Sequence, residues 1–490
     1  MLGILSPLPV FLYNLSDLPI MTVLGGWSRI AGLEIGIDGV NFFFLLSSFV
    51  VFPLVAIYSL SHFEKPDEEQ EGISRDSKFF LILLLYGGIL GSFVSRDLFN
   101  FTVYLEITSI SAIILVGSSN AKGAKFASFR YLMLYLISSV FLIFSIGIIY
   151  VKTGYLNLIL IEENIVMTKE IKIAITLAFI ALMTKAGIFP LHFWLPEAHS
   201  KADTPISALL SGVTVKVPVF GMILFLRYTS IGFLTLPLSA VAFGSILFGI
   251  FMGLFQEDVK KFLAYSTVSQ MGFVLVGIST LNIYATEIYV FTHAMVKAAL
   301  FMGIGILISN QGQKKIGKIS FGNKNFLMAT IILLGLAIGG ISPFLGAYAK
   351  YSILKNMSKY GVYLFYIGSI GTLTLFTRLI FELTEFDFKE KIHFEFKELV
   401  PFILALISLG VGIYYYPKFS FTDIILIGLA VTAFITLKYT KVLKWKIPHY
   451  YEYNEEGLAG QINFYTTVFV VVNILFILYV LNLYGGLHLF

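Results

Sequence analysis

Residues 182–199 read LMTKAGIFPLHFWLPEAH, and residues 335–354 read GLAIGGISPFLGAYAKYSIL. Each is an apolar run of membrane-helix character with one lysine, Lys185 or Lys350, beside an interruption. Gly187, Pro190 and Pro196 follow Lys185, and Gly339, Gly340, Pro343 and Gly346 precede Lys350. A proline inside a helix removes a backbone hydrogen bond and clashes with the preceding turn. At membrane depth, broken backbone is tolerated only where protein or water covers it. Both stretches therefore predict discontinuous helices turned to a protein interior, each with a buried cation at its break.

The surrounding chain is suited to a bilayer. Of 490 residues, 57% are apolar and 13% are charged, whereas soluble folds carry about a quarter charged residues. Fourteen apolar segments are expected to span: 39–61, 79–95, 98–117, 130–150, 172–190, 206–227, 231–254, 262–281, 286–308, 325–352, 361–381, 400–417, 421–438 and 463–484. The expected fold is an all-α polytopic membrane protein, with residues 1–490 as one membrane domain. Of the Lys and Arg in or flanking the connecting loops, 20 fall on one alternating set and 8 on the other. The positive-inside rule makes the richer set cytoplasmic. Residues before 39 and the C-terminus then face outside, in a cell (plasma) membrane. The first 38 residues carry three prolines and Asp17 and lack a basic signal-peptide start. They read as a short or re-entrant segment.

The two interrupted helices lie five spans apart, an odd offset that reverses orientation. Two inverted five-helix repeats follow, 79–227 and 231–381, with C-terminal helices over 400–490. The absence of cysteine excludes disulfides and thiolate-held zinc or iron–sulfur centres. The net charge of +5 is spread over loops and gives no nucleic-acid footprint.

The informative residues are charges inside the spans. Lys185, Lys216, Lys297 and Lys350 accompany a single central acid, Glu106. A lysine at a helix centre costs roughly 2.5–3.5 kcal/mol on insertion scales. Structural ion pairing is the plain alternative, but four cations cannot each pair with one carboxylate. An excess of buried amines suits groups that take up and give off protons. His293 and Lys297 are four apart on one helical face, and histidine titrates nearest physiological pH. Lys216 lies two residues before Pro218. Ser266, Ser269 and Gln270 read either as water-holding groups or as interhelical hydrogen bonds. Asp97 reads as a solvated boundary residue. If the helices adjoin, Glu106, Lys185, Lys216, His293, Lys297 and Lys350 form a proton pathway near the midplane. No catalytic, cofactor-binding or metal-ligating residue is expected.

The runs KAGIFPLHFWLPEAHSKADTPISALLSG (185–212), KKFLAYSTVSQMGF (260–273), THAMVKAALF (292–301) and SPFLGAYAKYSIL (342–354) resemble the antiporter-like subunits of respiratory complex I. That family also includes Mrp-type cation/proton antiporter subunits and subunits of archaeal membrane-bound hydrogenases and sulfane-sulfur reductases. The resemblance runs from about Asp38 to Lys355. It implies inverted repeats, an acid–lysine pair at Glu106 and Lys185, and a connecting lysine at Lys216. It further implies a central relay at His293 and Lys297 and a terminal lysine at Lys350. Gln270 departs from the pattern, since many members have histidine there. The chain before Asp38–Gly39 is shorter than usual. A long lateral helix is not evident, although 439–462 suits a membrane surface.

These readings imply an ion-moving subunit without its own redox centre. Its expected partners are other membrane subunits, iron–sulfur subunits reached through them, the lipid bilayer, and H⁺ or, as the alternative, Na⁺. A subunit of a Mrp-type Na⁺/H⁺ antiporter without redox chemistry is the second reading. A self-sufficient solute carrier would act as the isolated chain through a central substrate cavity, and the number of intramembrane charges argues against an inert scaffold.

Overall fold

The computed structural model describes residues 2–63, 73–384, 394–418, 420–440, 442–444 and 458–483. Short helices α1 (Leu2–Leu5) and α2 (Pro7–Tyr13) open the chain. An antiparallel hairpin of β1 (Ile20–Val23) and β2 (Glu34–Ile37) follows, with Ile20 opposite Ile37. This is the segment expected to be short or re-entrant.

The first long helices are α3 (Phe42–His62), α4 (Arg75–Val94), α5 (Leu98–Gly117) and α6 (Ala124–Thr153). A short α7 (Leu158–Asn164) leads to α8 (Lys169–Lys185) and α9 (Trp194–Lys201). Then come α10 (Thr204–Leu209), a π turn over Leu210–Thr214, and α11 (Lys216–Tyr228). The chain continues through α12 (Thr235–Leu254), α13 (Val259–Ser279), α14 (Ile283–Gln311), α15 (Asn325–Gly339) and α16 (Leu345–Leu354). It ends with α17 (Lys359–Leu383), α18 (Leu399–Tyr415), α19 (Phe421–Tyr439) and α20 (Leu458–Asn482).

Twelve helical spans among the described residues are long and apolar enough to cross a membrane, so the chain is a helical multi-pass membrane protein. Two of the fourteen expected segments are absent from that set. The 172–190 segment ends at the close of α8 and resumes as α9, and 325–352 divides into α15 and α16. Glycine allows both interruptions: Gly187 has φ 68° and Gly340 has φ 84°, which other residues adopt at a steric cost. The expected surface stretch 439–462 lies largely outside the described residues.

The broken backbone finds side-chain partners, as burial demands. At the first break, Trp194 Nε1 donates to the Thr184 carbonyl at 2.9 Å and Tyr135 Oη to the Lys185 carbonyl at 2.8 Å. The Phe189 amide donates to Ser245 Oγ at 3.2 Å. At the second, Lys350 Nζ donates to the Gly339 carbonyl at 2.8 Å, and the Ser342 amide reaches Asp423 Oδ2 at 3.4 Å.

Burial ranks the helices. The α13 span is wholly inside the protein, with the α10–α11 and α14 spans next, and α19 is the most peripheral. A helix apolar all round belongs in the core of a large bundle. Here the most enclosed helices also carry Lys216, Ser266, Gln270, His293 and Lys297. On the flank, Asp97 is buried rather than solvated. Its carboxylate caps α5 by accepting the Asn100 amide at 2.8 Å, and that bond offsets the loss of water.

Candidate ion-translocation pathway

The acid and lysine at the first break are in contact. Glu106, nine residues into α5, accepts from Lys185 Nζ at 3.0 Å. Ser139 of α6 joins them, 2.7 Å from Glu106 Oε1 and 2.8 Å from Lys185 Nζ. The ammonium also sits 4.3 Å from the centre of the Tyr135 ring, a cation–π contact. Tyr135 meets Trp194 edge-on at 5.3 Å, and Tyr131 stacks on Trp194 at 4.0 Å. These rings fix the helix break against α6.

The two members of the pair differ in burial. Lys185 is fully enclosed, while the Glu106 side chain is 29% exposed. Glu106 belongs to an outward stripe of α5 with Phe99, Val103, Ile110 and Ile114, which are all exposed. A carboxylate at mid-span on an apolar outer surface is not stable against lipid alone.

The remaining lysines hold oxygen and nitrogen acceptors but no carboxylate among the described residues. Lys216 follows the π turn, and its Nζ meets the Ser211 carbonyl and, at 2.7 Å, His293 Nδ1. One-turn π distortions occur often at functional sites; this one leaves the Ser211 carbonyl available to Lys216. Lys297 donates to the Leu263 carbonyl at 2.9 Å and to Ser266 Oγ. Lys350 donates to the Gly339 carbonyl and to Ser369 Oγ at 3.2 Å, and lies 4.5 Å over the Phe273 ring. Helix α13 thus touches both later lysines, Lys297 through Leu263 and Ser266, and Lys350 through Phe273.

Gln270 lies between them. Its amide donates to Thr372 at 3.2 Å, and its carbonyl accepts from Tyr289. His293 Nε2 and Ser269 Oγ are buried without a hydrogen-bond partner among the described residues. The structure therefore brings the singled-out residues together in groups: Glu106 with Lys185, Lys216 with His293, and Lys297 with Ser266. Lys350 stands apart, joined to the α13 groups through helix packing. Among the described residues, no direct hydrogen bond bridges Lys185 to Lys216 or Lys297 to Lys350.

Sequence reasoning missed Ser139 and Tyr135, because neutral hydroxyl groups in an apolar helix leave little trace in composition. It also missed a cluster at the junction of α9 and α10. Asp203 accepts from Lys78 at 3.1 Å and from Ser119 at 2.9 Å, while Lys260 donates to the Ala202 carbonyl at 2.8 Å. Loop charges gave a signal there, but not which of them would be buried.

A multi-pass bundle with a mid-membrane acid–lysine pair and further buried lysines defines an ion-translocating class of membrane subunit. The profile of the NADH:quinone oxidoreductase/Mrp antiporter transmembrane family matches residues 95–377, more than half of the chain. The chain belongs to that family: it is an antiporter-like subunit of the complex I, Mrp and sulfane-sulfur-reductase type. It is 28% identical over 377 residues to NADH-quinone oxidoreductase subunit N of Desulforudis audaxviator (strain MP104C), covering 73% of this chain and 74% of that one. Its fold is similar to a chain of the membrane-bound sulfane sulfur reductase, an archaeal respiratory membrane complex. That match has a TM-score of 0.75 and 25% identity over 90% of this chain and 92% of the other. A chain of the Mrp complex from Dietzia sp. DQ12-45-1b shares the fold at a TM-score of 0.72, with 19% identity over 90% and 92% of the two chains.

Proposed function

We propose that the chain moves protons through the membrane arm of a redox-driven respiratory complex, of the membrane-bound hydrogenase, sulfane-sulfur reductase or complex I type. The observation that carries this reading is the Glu106–Lys185 pair, with its lysine sealed inside and its acid open on the outer surface of α5. A neighbouring membrane subunit would cover that stripe. Its movement would shift the field at Lys185, and a proton would pass through Lys216, His293 and Lys297 to Lys350. Water would join the groups, with Ser266, Ser269 and Gln270 positioning it. Iron–sulfur subunits beyond the membrane partners would supply the electron chemistry.

The proton is favoured over Na⁺ by the contacts of the lysines. The carbonyls of Ser211, Leu263 and Gly339 are each taken by an ammonium nitrogen. The likeness to the sulfane sulfur reductase chain supports the redox-driven reading. The Mrp likeness supports the second, a Na⁺/H⁺ antiporter subunit without redox chemistry.

The same proposal includes fourteen spans, counting α8–α9 and α15–α16 as one broken span each. Residues 79–227 and 231–381 are then inverted repeats, each with its fourth span interrupted, and 400–490 forms the C-terminal helices. The bias of 20 against 8 basic residues supports a plasma-membrane orientation with the C-terminus outside.

The test is to purify the native complex through this chain, identify its companions, and measure ion movement in vesicles. Iron–sulfur companions are expected. Glu106→Gln and Lys185→Ala are expected to keep the companions' redox turnover while abolishing the ion gradient. Retained pumping in both variants would sink the translocation role, and companions without redox proteins would leave the Mrp reading.

A further inference from the structure

Glu287 lies in the second turn of α14, outside the pathway proposed above, and is 2% exposed. Its Oε1 is buried with no hydrogen-bond partner among the described residues. Tyr284 and Phe291, on the same stripe of α14, meet the Phe43 ring at 6.2 and 5.8 Å. That face is therefore turned to the start of α3, where Asp38 lies within electrostatic reach of Glu287. Asp38 Oδ1 accepts from the Val40 amide and from Arg96 Nη2, both at 2.9 Å. The Asp38 side chain is 14% exposed at the hairpin face, and the Arg96 side chain is fully enclosed.

Among the described residues, the local charges leave Glu287 without a counter-ion. Asp38 and Arg96 cancel. Two further buried acids lie there: Glu34 accepts from Arg29 at 3.2 Å and from Asn157 at 2.7 Å, and Asp97 accepts from the Asn100 amide at 2.8 Å. Tyr228 of α11 is a phenol near Asp38 and Arg96. Gln270 on α13 is uncharged, and inward along α14 His293 is engaged with Lys216. An ionised Glu287 would be an unpaired charge within electrostatic reach of a second carboxylate, and one bound proton removes the excess.

We propose that Glu287 is a proton-binding site at the hairpin end of α14, carrying protons between Asp38 at the surface and the His293–Lys216 pair within. The inference rests on the translocation reading. His293 lies six positions after Glu287, about 9 Å of helix rise, a gap for water to bridge. Each transfer moves one proton. Glu287 gives its carboxyl proton through water to His293 Nε2, the open acceptor when Nδ1–H donates to a neutral Lys216 amine; the Nδ1 proton passes on to Lys216, and the carboxylate left behind is reprotonated from the Asp38 side. The reverse sequence carries a proton outward.

The test combines infrared difference spectra of the native complex with ion flux in vesicles. The wild type should show a protonated-carboxyl band that shifts in D₂O and disappears in Glu287→Gln. Flux in that variant should fall at least about tenfold with companion redox turnover kept, and Glu287→Asp should restore part of it. A band that persists in Glu287→Gln, or unchanged flux, overturns the proposal. Lys185→Ala separates the failures. If it stops flux while Glu287→Gln does not, Glu287 alone is wrong; if it and Glu106→Gln both leave flux intact, the translocation reading falls and Glu287's conducting role with it. Should Glu287→Gln fail to assemble, Asp38→Asn decides, since removing the adjacent charge must move the wild-type band and an unmoved band overturns the assignment.

Discussion

Lys216 holds the Ser211 carbonyl on one side and His293 Nδ1 on the other, with no acid beside it among the described residues. If Lys216 serves only as a fixed cation, arginine can replace its charge. If it exchanges a proton, arginine cannot, because guanidinium stays protonated. Lys216→Arg is therefore expected to lower ion flux on the order of 10²-fold, with the complex still assembled. Flux measured in vesicles at the wild-type level would show that charge alone suffices at this position. Lysine and glutamate positions were legible in the sequence because each carries a large insertion cost. Ser139 was not, although it touches both Glu106 and Lys185. A serine can satisfy its hydroxyl on its own helix, as Ser139 also does with the Tyr135 carbonyl, so composition gives it no weight. Glu287 sat in a recognised span but near its end, where an acid is ordinarily solvated. Its burial comes from α3, which is a tertiary fact.

The interrupted helices were legible as elements because glycine and proline act locally. Gly187 and Gly340 each take the left-handed conformation at the end of the first half-helix. The π turn at 210–214 was not legible, since one extra residue in a turn leaves no mark in an apolar pattern. Nor was the pairing of helices, which placed Lys297 and Lys350 on opposite parts of α13. The second break gives a direct test of how an element positions a charge. A methyl group added at Gly340 would meet Lys350 Cδ at 2.5 Å, and the left-handed backbone there adds about 1–2 kcal/mol for any non-glycine residue. Gly340→Ala should therefore displace the lysine stem from the Gly339 carbonyl as well as strain the turn. Expected are a lower melting temperature in detergent and reduced flux. A variant with normal flux would show that Lys350 works without its present seat.

At the scale of the whole molecule, the end of α14 and the starts of α15 and α18 meet in a polar clasp. Lys324, just before α15, pairs with Glu395 at 2.5 Å and Glu398 at 2.8 Å. Asn310 near the end of α14 donates to Glu395 at 2.6 Å, and Lys397 pairs with it at 2.8 Å. Burial pushes the Glu395 carboxyl up, but Lys324, Lys397 and Asn310 outweigh that and hold it at about 2, below the ordinary 4.5. The unfolded chain then binds more protons than the folded one between those values, so stability rises with pH across this window. The contribution is complete above about 4.5 and is lost as pH falls toward about 2. Glu395 is partly exposed, with 22% of its side chain open, so screening reduces the effect and salt weakens it further. Thermal unfolding followed by tryptophan fluorescence should show a melting temperature that declines below pH about 4.5, with a shallower decline in Glu395→Gln and at high salt. An equal slope in wild type and variant would remove this clasp from the account of how the second broken helix is held against the C-terminal helices.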